Sequence, residues 1–104
     1  MSNLDTFKQL LEKGDDNALL RYSLANEYFK LEEFENAIEH LKKALEFDEG
    51  YSAAWKLYGK ALTENGKNSE AIAAYEKGIH VAEQNGDMQS VKEMRVFLKR
   101  LEES

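Results

Sequence analysis

The residues with chemistry to offer are two histidines, some adjacent carboxylates and a set of lysines at helical spacing. His40 and His80 stand forty residues apart, each among ordinary helical neighbours. A transition-metal site needs a second imidazole or a thiolate at short spacing. Neither histidine has one, and the chain contains no cysteine, which removes disulfides, thiolate zinc sites and thiol catalysis together. Both histidines therefore read as helix-surface or helix-joint residues. The pairs Glu32-Glu33 and Asp48-Glu49 fall where helices end, so solvation and helix dipoles account for them without acid–base catalysis. No phosphate-binding glycine loop or nucleophile elbow is present. Gly59 and Gly78 read as close-packing positions, and Trp55, Tyr58 and Tyr75 read as core. The expectation is a protein that is not an enzyme, with no catalytic residue, no metal and no cofactor.

Composition narrows the classes further. The chain has 104 residues, 14 Lys and Arg against 20 Asp and Glu, and a net charge of −6. A chain this long buries about 65% of its extended surface, enough for a core without covalent staples. Hydrophobic residues make up 42%, too many for a disordered tail, and the longest apolar run is Ala71 to Tyr75, far too short to span a membrane. An acidic chain suits neither nucleic acid nor an anionic membrane. Met1 to Leu11 lacks the basic and apolar segments of an export signal, so a cytoplasmic location is expected. Residues 1–50 carry six basic and twelve acidic side chains, whereas residues 51–104 carry eight of each. The acidity lies in the first half.

The elements follow from an internal repeat. An offset of 34 residues lays Ala25 on Gly59, Ala37 on Ala71, Ile38 on Ile72, Leu41 on Tyr75, Ala44 on Gly78 and Leu45 on Ile79. Small falls on small and large apolar on large apolar. Each unit carries two helical stripes, so the repeat is a helical hairpin. Ser2 with Asp5 reads as a capping box before the stripe Leu4, Phe7, Leu10, Leu11. Gly14 stops that helix, and Asp15, Asp16 or Asn17 caps the next, which runs to about Leu31. A third runs from Phe34 to near Phe47. Ser52 is expected to cap a fourth, ended by Asn65-Gly66. Asn68 or Ser69 is expected to cap a fifth, ended by Asn85-Gly86, and Asp87 a sixth. No period-2 strand pattern occurs.

Trp55, Tyr58, Gly59, Leu62, Ala71, Tyr75 and Gly78 in one unit, and Arg21, Leu24, Ala25, Tyr28, Ala37, Leu41 and Ala44 in the other, resemble the tetratricopeptide repeat (TPR) pattern W-x2-L-G-x2-Y followed by A-x3-F and a further small residue. Departures are Arg21 at the usual Trp, Leu62 at the usual Tyr, and Glu49 and Glu83 near the usual Pro; the chain has no proline. The resemblance implies an all-α fold of about six helices: antiparallel hairpins stacked as a short right-handed α-solenoid. Its expected division is a single domain, 1–104. Residues 1–14 form an N-terminal cap, 18–51 and 52–85 two repeats, and 87–104 a C-terminal cap, since a short array must cover both open ends.

In TPR proteins the first helix of each hairpin lines a concave groove that typically takes a peptide. Carried over by resemblance, the groove positions are Leu19, Tyr22, Asn26, Phe29 and Lys30, then Ala53, Lys56, Lys60, Thr63 and Glu64. The last helix, shifted two residues so that Val91 aligns with Trp55 and Met94 with Tyr58, adds Gln89, Lys92, Val96, Lys99 and Arg100. The residues singled out as a peptide-binding groove are Tyr22, Asn26, Phe29, Lys30, Lys56, Lys60, Lys92 and Lys99. Such a basic inner face would draw an acidic segment. Chaperone-binding TPR proteins clamp a terminal carboxylate with Lys, Asn and Arg. Only Asn26 matches, with Tyr22, Leu57, Gln89 and Glu93 at the other clamp positions, so that ligand is not expected. The expected function is a non-catalytic adaptor for a protein or peptide partner. The alternative is a self-associating scaffold that buries Phe7 and Leu11, or Phe97 and Leu101, between copies as a homo-oligomer.

Overall fold

The computed structural model describes residues 3–104; Ser2, and with it the capping box, lies outside them. The described residues form six helices and no strand: α1 Asn3–Glu12, α2 Ala18–Lys30, α3 Phe34–Phe47, α4 Ser52–Glu64, α5 Asn68–Asn85 and α6 Met88–Glu102. Each packs on the next in sequence, and α4 also touches α2 and α6. The odd pair α3 and α5 is thus kept to one side, while α2, α4 and α6 lie side by side on the other. The result is an elongated slab, 42 × 28 × 19 Å. This is the all-α helical repeat expected.

The repeat is held by size complementarity. Leu24, Leu41, Leu62, Tyr75, Val91 and Met94 are almost wholly shielded from water, each stabilising the fold by about 1.5–3 kcal/mol. Between them sit the small residues. A Cβ at Gly59 would penetrate the Tyr75 ring, and one at Gly78 would come 2.7 Å from Met94 Sδ and 2.8 Å from Trp55 Cβ. Neither glycine approaches a ligand site.

The helix ends follow one turn. In repeat one the Glu33 amide donates to the Tyr28 carbonyl at 2.9 Å, and in repeat two the Lys67 amide donates to Leu62 at 2.9 Å. This closure needs one left-handed residue. Gly66 supplies it at φ 75, but Glu32, 34 positions earlier, adopts φ 60 with a full side chain.

Three expectations need correction. Ser52 and Asn68 are first residues of their helices rather than caps, and the residues before them, Tyr51 and Lys67, make no side-chain capping bond. The Ser52 hydroxyl instead donates to Asp87 Oδ2 at 2.8 Å, tying one inter-helix joint to the next. The Asn85 amide donates to the Gly50 carbonyl at 2.7 Å in the same seam. Trp55 and Tyr58 are only half-buried. Together with Leu45 and the charged rim of α3 they line a cleft of about 570 Å³ on the far side from α2 and α6. The Trp55 indole donates to the Glu49 carbonyl at 2.8 Å. By contrast Asn17 and Asp87 do cap: Asn17 Oδ1 accepts from the Leu20 amide at 2.8 Å, and Asp87 Oδ1 from Ser90 at 3.2 Å.

Candidate functional site

The shared face of α2, α4 and α6 gathers most of the singled-out residues. Tyr22 is half-buried on α2 with its ring 5.1 Å from that of Tyr51, which leads into α4. Asn26, one turn on, is half-buried. Phe29 meets Phe34 edge-on at 5.3 Å. Lys30 is drawn to Glu27 on its own helix at 2.8 Å, which holds the Glu27 carboxyl below the usual range. Lys56 reaches across to α6 and pairs with Glu93 at 3.1 Å. Lys60, one turn further, lies 5.7 Å from the centre of the Phe29 ring on α2 and 5.7 Å from that of Phe97 on α6. One ammonium thus spans the face.

Lys92 and Lys99 are exposed and enter none of these contacts among the described residues. They occupy the α6 stripe beside the one that faces α4. Glu93 and Phe97 are the α6 side chains that reach Lys56 and Lys60 of α4. The α6 register lays the shielded Val91 and Met94 on the half-buried Trp55 and Tyr58, and facing side chains on crossing helices are not equivalent positions. A signal was available: Lys56 and Lys60 are four residues apart, as are Glu93 and Phe97, so the two helices meet rung on rung.

Below Lys60 a cavity of about 290 Å³ is lined by Lys60, Thr63, Glu64, Tyr75, Phe97, Arg100, Leu101 and Ser104. The Arg100 guanidinium lies 5.9 Å from the centre of the Phe97 ring. Tyr75 is buried there beside Thr63, whose hydroxyl donates to the Gly59 carbonyl at 2.8 Å. Burial pushes the Tyr75 hydroxyl up to about 12, so it stays neutral and offers no base. The cavity can hold an anion or an apolar group, and it lacks a paired acid and base for catalysis.

The histidines lie elsewhere. His40 stacks on Tyr28 with ring centres 5.4 Å apart and accepts a hydrogen bond on Nδ1 from Arg21 at 3.0 Å. Arg21, which stands where a tryptophan is usual, also grips both Asp16 carboxylate oxygens at 2.8 and 2.9 Å. His80 is exposed. Among the described residues no group of three or more His, Cys, Asp or Glu could hold a metal ion, and no helix is long and apolar enough to cross a membrane.

Comparison with known proteins agrees with this architecture. The tetratricopeptide repeat family model matches residues 28–94. A TPR repeat-containing protein of Pseudomonas aeruginosa is 43% identical over 99 residues, spanning 95% of this chain and 94% of that protein. The solution structure of a Bordetella parapertussis protein superposes with a TM-score of 0.88 at 42% identity, covering 99% of this chain and 90% of that one. A crystal structure of a TPR domain protein from Salinibacter ruber gives 0.78 at 25% identity, over 84% and 97% of the two chains. The small residues at 34-residue spacing, the stacked hairpins and these likenesses together make the chain a member of the tetratricopeptide repeat family.

Proposed function

We propose that the chain is a non-catalytic, cytoplasmic adaptor that binds a segment of a partner protein along the face of α2, α4 and α6. TPR proteins generally mediate protein–protein interaction. The observation that carries the reading is that Tyr22, Phe29 and Phe97 stay half-buried on one face spanning three helices, with Lys60 between two of the rings. Rigid aromatic groups beside a desolvated cation are what dominate binding energy at protein interfaces. The repeats, residues 18–51 and 52–85, would supply α2 and α4, and the C-terminal cap would complete the face with α6. Lys92 and Lys99 would add electrostatic steering from the rim.

The test is affinity capture from lysate with three baits: wild type, Tyr22→Ala/Lys60→Glu on this face, and Lys42→Glu/Lys77→Glu on the opposite face. Lys56 is left alone because reversing its charge would set it against Glu93. A partner kept by the second variant and lost with the first supports the reading. A partner that survives Tyr22→Ala/Lys60→Glu overturns it. The alternative, self-association through Phe7 and Leu11 or through Phe97 and Leu101, uses side chains that are likewise half-buried. Light scattering that gave a multiple of the chain mass would return that reading to the front.

A further inference from the structure

We infer that the cavity between α4 and α6 is a seat for a carboxylate side chain, so that the partner segment presents an aspartate or glutamate at this point. The inference rests on the adaptor reading and specifies it. Three observations converge. First, the cations of this face are unequal. Lys30 has Glu27 and Lys56 has Glu93, but Lys60 is half-buried with no carboxylate in ion-pair range among the described residues. Its neighbours are the faces of Phe29 and Phe97, which attract an ammonium without neutralising it. Second, a second cation is aimed at the same place: Arg100 lies against the same Phe97 ring and lines the same cavity. Third, Tyr75, Phe97 and Leu101 give the cavity an apolar wall opposite the polar Thr63, Glu64 and Ser104, and about 290 Å³ admits a side chain with an apolar stem and an anionic head. Glu64 also lines the cavity, so two cations against one carboxylate leave about one positive charge to be matched, which a singly charged carboxylate does. A charge-assisted bond is about twice as strong as a neutral one.

The test uses the 15N-labelled full chain, titrated with the doubly capped peptide acetyl-Gln-Phe-Glu-Phe-Gln-amide. A second arm uses the same peptide with Gln in place of Glu. A third uses that Gln peptide with a free C-terminal carboxylate. The seat is supported by saturable shifts of the Lys60, Phe97 and Arg100 amides with the first peptide. Affinity should be at least about tenfold weaker with the second, the scale of one charge-assisted bond. Lys60→Gln should abolish the difference between those two peptides, and Lys42→Gln, on the opposite face, should leave it intact. Equal binding of the first two peptides overturns the seat, as does a third peptide that binds better than the first. Shifts confined to Tyr22 and Asn26 overturn the seat while leaving the adaptor face standing. Absence of any shift at millimolar peptide overturns the seat, and the adaptor face is then judged by the capture experiment alone.

Discussion

At the scale of single residues, the two repeats differ most where the same backbone is built from different side chains. Glu32 and Gly66 occupy equivalent left-handed turns, at φ 60 and φ 75. A non-glycine residue held there costs about 1–2 kcal/mol. Glu32→Gly should therefore stabilise the chain by about 0.5–1 kcal/mol after the entropy of the more flexible unfolded chain is subtracted, and Gly66→Ala should destabilise it by about 1 kcal/mol. Urea unfolding midpoints of the two variants check both signs. His40 provides the pH dependence. Burial, and then the adjacent Arg21, disfavours its imidazolium and lowers its pKa below the usual 6.5. The unfolded chain then takes up the proton more readily than the native one. The contribution is fully present above about pH 6.5 and is lost as pH falls through the lowered native value. Denaturant midpoints should drop between pH 7.5 and 5, and His40→Gln should flatten that drop. Asp16, held below its usual range by Arg21, adds its own loss only in stronger acid, outside this window.

At the scale of the element, caps and seams decide what is worth changing. Asn17 caps α2 through its side chain, whereas Asn68 stands one residue inside α5 with no capping bond before it. Asn17→Ala should cost about 1 kcal/mol and Asn68→Ala should be close to neutral, read from thermal unfolding of the pair. Sequence alone marks both as cap residues, because the preference for Asn near a helix start does not say on which side of the boundary it falls. Helix existence, by contrast, was legible. The 3.6-residue stripes and the 34-residue offset both arise from one requirement, that Ala25, Ala37 and Ala44 and their counterparts Gly59, Ala71 and Gly78 let helices approach closely. The candidate site was legible only in part. Tyr22, Phe29, Lys56 and Lys60 share one face because they project from the exposed edges of α2 and α4, the first helices of the two hairpins. Spacing alone points to Lys92 and Lys99 on α6, whereas Glu93 and Phe97 are the side chains that reach α4, because the facing residue depends on how two helices cross. Trp55 reads as core in the sequence because the cleft beside α3 that half-exposes it leaves no pattern in its helical stripe.

At the scale of the whole molecule, stability is distributed along the stack. Helices α4 and α5 are covered from both directions, by α3 and α6, and carry Leu57, Leu62, Tyr75 and Val81 in the core. Helix α1 touches α2 alone and has no buried residue, although Lys8 leans over the Tyr28 ring at 5.7 Å. A repeat array opens from its weakest end. Amide exchange should therefore be fastest in α1 and slowest in α4 and α5, with α6 between them because Val91 and Met94 are fully shielded. Faster exchange in α4 than in α1 would contradict this ordering.

The seam contacts reach further than stability. Gly50 bonds to Asn85 and Ser52 to Asp87, in both cases 35 residues apart. Such contacts between successive joints act as a ruler, since each new joint finds its place from the one before. The molecule is in that sense a length of track and could be lengthened. A second copy of residues 50–85 inserted between Asn85 and Gly86 would meet Asn85 with a glycine, as the native chain does, and present its own Asn85 to Gly86. The elongated chain should gain one hairpin, unfold at a higher temperature, and carry two Lys60 positions along a longer face.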